Sequence, residues 1–188
     1  MKLLHYIGIF IKTLLRTLLK PLSFVPALIM MYIIFGFSAQ SGEDSGQLSY
    51  KVTRIVVEAA DEAADLQLSE SRKDMLTDKL HPYIRKLAHF TEYLLLAMSV
   101  ALPLYVYGLR GFLLVIIAGL FCVGFACLDE YHQSFVQGRG PSKRDVLIDS
   151  CGSFVGILIT RIFGFIGRKT IFAPLAKKPK KKRKRYAD

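Results

Sequence analysis

Four long apolar runs divide the chain, and each is long enough to cross a bilayer as a helix. They cover about residues 22–39, 87–107, 111–128 and 146–167. A transmembrane helix needs roughly 20 predominantly apolar residues to span the hydrocarbon core. The pattern therefore predicts an all-α fold, an integral membrane bundle of four transmembrane helices. A hydrophobic content of 52% agrees with this class and is high for a water-soluble domain.

The polar stretches between and beyond these runs differ in character. Residues 1–20 carry basic residues at helical spacing, so we expect a basic amphipathic helix in the membrane interface; a cleaved signal peptide is the weaker alternative. Residues 43–82, approximately, carry charges of both signs and predict an extracytoplasmic helical segment, which we expect to end at His81-Pro82. The membrane domain is predicted to cover residues 21–170. Residues 171–188 form a polybasic tail that we expect to be disordered.

The distribution of positive charge predicts the orientation in the membrane. The net charge is +11, and eight of the Lys and Arg residues lie between residues 177 and 185. Lys and Arg accumulate on the cytoplasmic side of membrane proteins. Both termini are therefore expected in the cytoplasm, with the tail against anionic inner-leaflet lipids. Such a tail also binds nucleic acid nonspecifically, but we expect no specific nucleic-acid partner.

Four spans in this orientation bring three polar segments to the outer membrane surface: the start of the second span, the end of the third and the start of the fourth. Polar groups near hydrocarbon are costly and usually have a function. A capping box at Ser142 and Asp145 is expected to open the fourth span. Gly152 and Gly156 predict close contact with another helix, so that Asp145 and Asp149 face the bundle.

The chemistry of this polar cluster allows three interpretations. His89 with Glu92, or Asp129 with His132, supplies ligand types that suit a divalent metal. A buried network of hydrogen bonds and ion pairs is the favoured alternative. In the third, His89 or His132 is a general base oriented by Glu92 or Asp129, and Arg139 holds a phosphate. The sequence identifies no metal or other cofactor.

These considerations give two groups of candidate site residues. The candidate catalytic residues are His89, Glu92, Asp129, Glu130, His132, Gln133 and Asp145. The candidate substrate-binding residues are Arg85, Lys86, Tyr93, Arg139 and Asp149.

Spaced motifs in this cluster resemble the VanZ-like family of bacterial membrane proteins. They are Lys86-x-x-His89-Phe90-x-Glu92-Tyr93, Asp129-Glu130-x-x-Gln133-x-Phe135-x-x-Gly138-Arg139 and Asp145-Val146-x-x-Asp149-x-x-Gly152. Phe37-Ser38-Ala39-Gln40, at the end of the first run, is also similar.

The resemblance implies a multi-pass protein of the bacterial cell membrane that acts in the cell envelope. It also implies lowered susceptibility to teicoplanin-type lipoglycopeptides. A lipid-linked cell-wall intermediate bearing phosphate is the expected substrate, and membrane lipids are expected partners. The alternative is a non-enzymatic protein that binds an envelope lipid, the drug or a membrane partner. A transporter is a weaker alternative, because the polar residues lie at one surface and not at the midplane.

Overall fold

A computed structural model describes residue 10 and residues 21–169, with side chains up to residue 166. Within these residues the chain forms five helices and no strand, which confirms the predicted all-α class. The helices are α1 (Val25–Ser38), α2 (Gly42–Ala64), α3 (Glu70–Val106), α4 (Gly111–Gln133) and α5 (Lys143–Lys169). The expected interfacial helix, apart from residue 10, and the polybasic tail lie outside the described residues.

Three of the described helices, α3, α4 and α5, are long and apolar enough to cross a membrane. The apolar helix α1 has 14 residues, and it passes the same test only together with α2. These two helices are bent by 110° at the break between them. The described helices therefore supply three spans, or four if the bent pair counts as one. The sidedness of the bundle remains a prediction.

The expected helix boundary at His81-Pro82 is wrong. α3 runs for 37 residues and continues through both Pro82 and Pro103. A proline inside a helix removes one hydrogen bond and is tolerated where neighbouring contacts compensate. Here α2 packs beside the proline: Ser49 Oγ and His81 Nε2 are hydrogen-bonded at 2.7 Å, and Tyr50 contacts the His81 ring edge-on. The first half of α3 is therefore both one arm of a hairpin with α2 and the continuation of a span.

The central helix is α3, which contacts all four other helices. Its closest neighbour is α5, because Gly152 and Gly156 leave no room for a side chain. A Cβ atom built on Gly152 would lie 2.2 Å from the carbonyl oxygen of Phe90, and one on Gly156 would lie 2.3 Å from that of Leu94. This confirms the close approach that the two glycines predicted. The core at this seam includes the fully buried Tyr93.

The corner between α1 and α2 is attached to the loop that joins α4 and α5. The amide of Gly42 donates to the carbonyl of Gln137 at 2.9 Å. The Arg139 guanidinium donates through Nη2 to the carbonyl of Phe37 at 3.0 Å. The same loop ends at Ser142, whose Oγ accepts from the Asp145 amide at 3.3 Å. The other bond of the predicted capping box does not form, because the Ser142 amide donates to Glu130. These contacts hold the end of α1 against the end of α4.

Candidate functional site

A buried polar network joins the end of α1 to the end of α4. Ser38 Oγ donates to Asp129 Oδ2 at 2.7 Å. Gln133 Nε2, one helical turn further along α4, donates to the same carboxylate oxygen at 3.1 Å and to Ser38 Oγ at 3.0 Å. All three side chains are buried. A buried carboxylate is stable only when hydrogen bonds or opposite charges compensate its lost hydration, and these donors supply part of that compensation.

A second pair of residues joins α3 to α5. His89 Nδ1 lies 3.8 Å from Asp149 Oδ1, slightly beyond hydrogen-bond distance. Asp149 is only 2% exposed. Gly152, one turn below Asp149, brings the two helices close enough for this approach. The sequence assigned the orientation of His89 to Glu92 or Asp129. The structure places a different carboxylate, that of Asp149, beside its ring nitrogen.

Two further acidic residues have partners near the surface. Lys86 Nζ and Asp145 Oδ1 form an ion pair at 2.9 Å between α3 and the start of α5. Glu130 accepts a hydrogen bond from the backbone amide of Ser142. Glu130 therefore holds the loop before α5, and Asp145 is paired with a cation. Both carboxylates therefore already have a bonded partner within the protein.

Two cavities meet at this end of the bundle. The first, of about 190 Å³, lies between the α1–α2 corner and α3. The second, of about 410 Å³, lies between α3 and the loop after α4. Arg85, His89 and Arg139 line both cavities. Glu92 lines the first, whereas Lys86, Gln133 and Asp145 line the second. Seven of the predicted site residues thus line these cavities, and Asp129 and Asp149 lie in the networks directly behind them.

The two arginines give the shared wall a positive character. Burial, and then the neighbouring Arg85, lower the pKa of the Arg139 guanidinium. Arginine nevertheless keeps its proton at neutral pH. The Nε atom of Arg139 is buried and has no hydrogen-bond partner. A planar cation with an unused donor beside a second guanidinium is suited to a phosphate or carboxylate group.

Close to the same place, four more buried polar atoms have no hydrogen-bond partner within the protein. They belong to side chains of three different helices: Nδ1 of His89, the hydroxyl of Tyr93, and one carboxylate oxygen each of Asp129 and Asp149. Buried polar atoms are normally satisfied, so a cluster of unsatisfied ones is a common property of functional sites. This cluster lies directly behind the wall formed by His89.

The predicted metal-ligand pairs do not assemble into a metal centre. Among the described residues, no group of three or more His, Cys, Asp or Glu side chains has an arrangement that could hold a metal ion. His89 approaches Asp149, while Asp129 is bonded to Ser38 and Gln133. The donor sets seen here are those of hydrogen-bond and ion-pair networks.

Two predicted site residues lie apart from the cavities. His132 is on the side of α4 that faces α1, where its ring lies 4.3 Å from that of Phe35. Tyr93 is fully buried in the core beneath the site and packs near Phe125. Each is next in sequence to a residue that lines a cavity, but successive side chains on a helix point in different directions. Their predicted roles in catalysis and binding remain untested.

The sequence missed contributions from α1 and α2. Ser38 was noted only as part of a motif, yet it is a direct donor to Asp129. The first cavity is also lined by four residues of the predicted extracytoplasmic segment, Ser45, Leu48, Ser49 and Val52 of α2. The available signal was the amphipathic spacing of Leu48, Val52 and the residues that follow.

Comparison with known proteins agrees with the resemblance seen in the sequence. The model of the VanZ/LLP1 family matches residues 23–164. No curated protein and no solved structure matches the chain. The matched range includes all residues named above at the two cavities and both sides of the α3–α5 seam. Together with the apolar helices, this match shows that the chain is a membrane protein and belongs to the VanZ/LLP1 family.

Proposed function

We propose that this protein lowers the susceptibility of a bacterial cell to teicoplanin-type lipoglycopeptides by acting on a lipid-linked, phosphate-bearing intermediate of the cell envelope. In this proposal the site faces the outer membrane surface, and both termini are cytoplasmic. The observation that carries it is the shared wall of Arg85, His89 and Arg139 between the two cavities. Two guanidiniums and an imidazole around one space fit a phosphate group and a reaction at it.

His89 is the general base in this proposal, and Asp149 is a positioning residue behind it. The 3.8 Å separation of Nδ1 and Oδ1 becomes a hydrogen bond after a small shift, as is common when a site closes on its ligand. A proton on Nδ1, directed to Asp149, leaves Nε2 free to accept a proton from a nucleophile. The tautomer is our assignment.

Arg139 and Arg85 bind the phosphate, and Glu92 is the acidic group within the first cavity. Arg139 is held in place by its bond to the carbonyl of Phe37. Its remaining donors are available to a ligand, because a guanidinium has five N–H groups. Asp129 stays behind the wall, where Ser38 and Gln133 hold it.

The test is the drug susceptibility of a bacterial host that produces the protein, measured at matched membrane abundance. We expect His89→Gln and Asp149→Asn to abolish the protection against teicoplanin. His132→Gln is the matched control, because His132 lies against Phe35 and lines neither cavity. Full protection by the His89→Gln variant would refute catalysis at this residue.

A non-enzymatic role in binding is the second candidate, and the hydrogen bonds from Ser38 and Gln133 to Asp129 favour it. These bonds, with the Lys86–Asp145 pair, are what a purely structural network would require. A protein that only binds a lipid, the drug or a membrane partner needs the guanidinium groups of Arg85 and Arg139 but does not need His89 as a general base. In that case Arg139→Gln would remove protection while His89→Gln would retain it.

A further inference from the structure

We propose that the substrate is a lipid phosphate with one long hydrocarbon chain, and that it enters from the bilayer. Its hydrocarbon chain lies along α2, and its phosphate lies between Arg85 and Arg139. This inference rests on the proposed function and narrows its substrate class. The first cavity, of about 190 Å³, then holds the part of the chain next to the phosphate, and α2 is one of its walls.

The wall of the first cavity contains large apolar side chains beside its polar and charged ones. Its walls include Phe37 of α1, Leu48 and Val52 of α2, and Ile84 of α3. Leu48 and Val52 are four residues apart and so lie on one face of α2. Each is 45% exposed, and Phe37 is 42% exposed. Large apolar side chains that remain this exposed around a cavity fit a hydrocarbon ligand.

The same cavity also has two arginines in its wall. Arg85 and Arg139 stand there, and both also line the second cavity. A phosphate at this wall is within reach of both cavities, and a chain attached to it would contact Leu48 and Val52 in the first one. Apolar side chains and two guanidiniums in the wall of one cavity therefore suit an amphiphile.

The corner between α1 and α2 forms one side of this cavity. Helix α1 is apolar, and α2 leaves it at 110°. The corner between them lies where an apolar helix ends, which in a bilayer is the boundary between hydrocarbon and headgroups. A lipid phosphate in the bilayer has its phosphate group at that boundary. It can therefore reach the site by lateral diffusion, without leaving the membrane.

A soluble phosphate compound fits this arrangement poorly. It would use the second cavity, whose lining includes His81, Lys86 and Asp145. The apolar walls given by Leu48 and Val52 would then have no role. The chain length of the ligand is thus the property that distinguishes the two classes.

The experiment measures binding to the full-length protein in phosphatidylcholine nanodiscs. Three probes carry the same phosphate chemistry: a long-chain polyprenyl monophosphate, a five-carbon prenyl monophosphate and inorganic phosphate. We expect the long-chain probe to bind at least about tenfold more tightly than the five-carbon probe. Arg139→Gln should remove binding of both prenyl probes.

Val52→Gln and Ile55→Gln form the matched pair of variants. Both residues are exposed β-branched residues of α2, but only Val52 lines the cavity. Val52→Gln should weaken long-chain binding by about tenfold, whereas Ile55→Gln should change it by less than about twofold. Leu48→Gln tests the same wall if the Val52 variant is unstable.

The possible results separate the inference from the proposed function. Equal affinity for the long and five-carbon probes, or equal effects of the Val52 and Ile55 variants, would overturn the inference and leave a phosphate site. Binding of none of the probes by a stable wild-type protein would overturn both. Tight long-chain binding that depends on Val52 and Arg139 would support both.

Discussion

Two clusters of acidic and basic side chains lie on α3, and they differ in how their charges are compensated. Near the start of α3, Arg54 of α2 is bonded to Glu58 at 2.7 Å and also to Glu70 and Asp74. Lys73 beside it pairs with Asp61 at 3.1 Å. Near the middle of α3, the half-buried His89 and the buried Asp149 approach only to 3.8 Å, and Asp129 is bonded to neutral donors.

The difference shows what each cluster does. The outer cluster has abundant partners and water nearby, so its ion pairs align α2 with α3 and contribute little free energy each. The inner cluster has buried atoms without partners and lies directly behind two cavities. Buried polar atoms without partners cost folding free energy, and a protein that retains a cluster of them usually uses the cluster for function. The following experiments test this division, from the largest expected effect to the smallest.

The α3–α5 seam carries the inner cluster, so its disruption should have the largest effect. Gly152→Ala places a Cβ atom against the backbone of Phe90, where no side-chain movement can relieve the clash. We expect a loss of stability of about 1–3 kcal/mol or more, together with loss of function. Thermal unfolding in detergent measures it.

Gly124→Ala is the control for this substitution. Gly124 lies in α4, and a Cβ atom there has nothing within 4 Å. The control should be neutral or slightly stabilising, since alanine favours a helix over glycine by roughly 0.5–1 kcal/mol. Equal melting temperatures for the two variants would contradict the close packing of the seam.

Ser38→Ala should remove a donor from the buried Asp129 carboxylate. Gln133 still donates to the same oxygen, so the loss of one of the two hydrogen bonds to this buried carboxylate oxygen should cost about 1.5–3 kcal/mol of folding free energy. Ser99→Ala serves as the control, because within the described part of the chain the Ser99 hydroxyl bonds to the carbonyl of Leu95 in its own helix. If Ser38→Ala and Ser99→Ala have the same melting temperature and the same protection, the inner network has no special importance.

Gly42→Ala should impair function more than stability. A Cβ atom on Gly42 would lie 2.1 Å from the carbonyl oxygen of Gly138, next to Arg139. The loop must move, and Arg139 moves with it. We expect weaker binding of a lipid phosphate with a modest fall in melting temperature, whereas Gly46→Ala, with free space around it, should bind as the wild type does.

Arg54→Gln removes the centre of the outer cluster. We expect a fall in melting temperature of only a few degrees and unchanged protection, because exposed ion pairs stabilise weakly. Drug susceptibility at matched abundance gives the functional measurement. Loss of protection at normal stability would assign the outer cluster a functional role and end the distinction between the two clusters.

The smallest effect is a pH dependence of the turn between α2 and α3. The amide of Leu68 and the ammonium of Lys73 lower the pKa of Asp61. A lowered pKa stabilises the fold above the unfolded pKa, near 3.9, and this stabilisation is lost as the pH falls through the folded pKa. Hydrogen exchange of the turn, corrected for intrinsic rates, should show more opening at acid pH.

Asp61→Asn tests the assignment of this effect. The variant should lack the acid-dependent opening that the wild type shows, because its amide does not titrate. An identical pH profile in wild type and variant would mean that another group controls the turn.

Much of the site could be predicted because several of its residues recur at helical spacing. Arg85, His89 and Glu92 share one face of α3, and all three line the first cavity. Gly152 and Gly156 predicted that another helix approaches α5 closely, and the structure identifies that helix as α3, which carries His89. Spacing alone could not identify the partner of His89, because the choice among Glu92, Asp129 and Asp149 depends on which helices meet and in what rotation.

The sequence by itself determined the all-α class, the apolar helices, the family and most residues of the polar cluster. These follow from local patterns: apolar length, helical period and motif spacing. Only the tertiary structure decided that α3 continues through Pro82, that Ser38 bonds to Asp129, and that α2 is a wall of the cavity. Each of these depends on contacts between segments distant in sequence, and such contacts outweigh the local preference of a proline or a polar stretch.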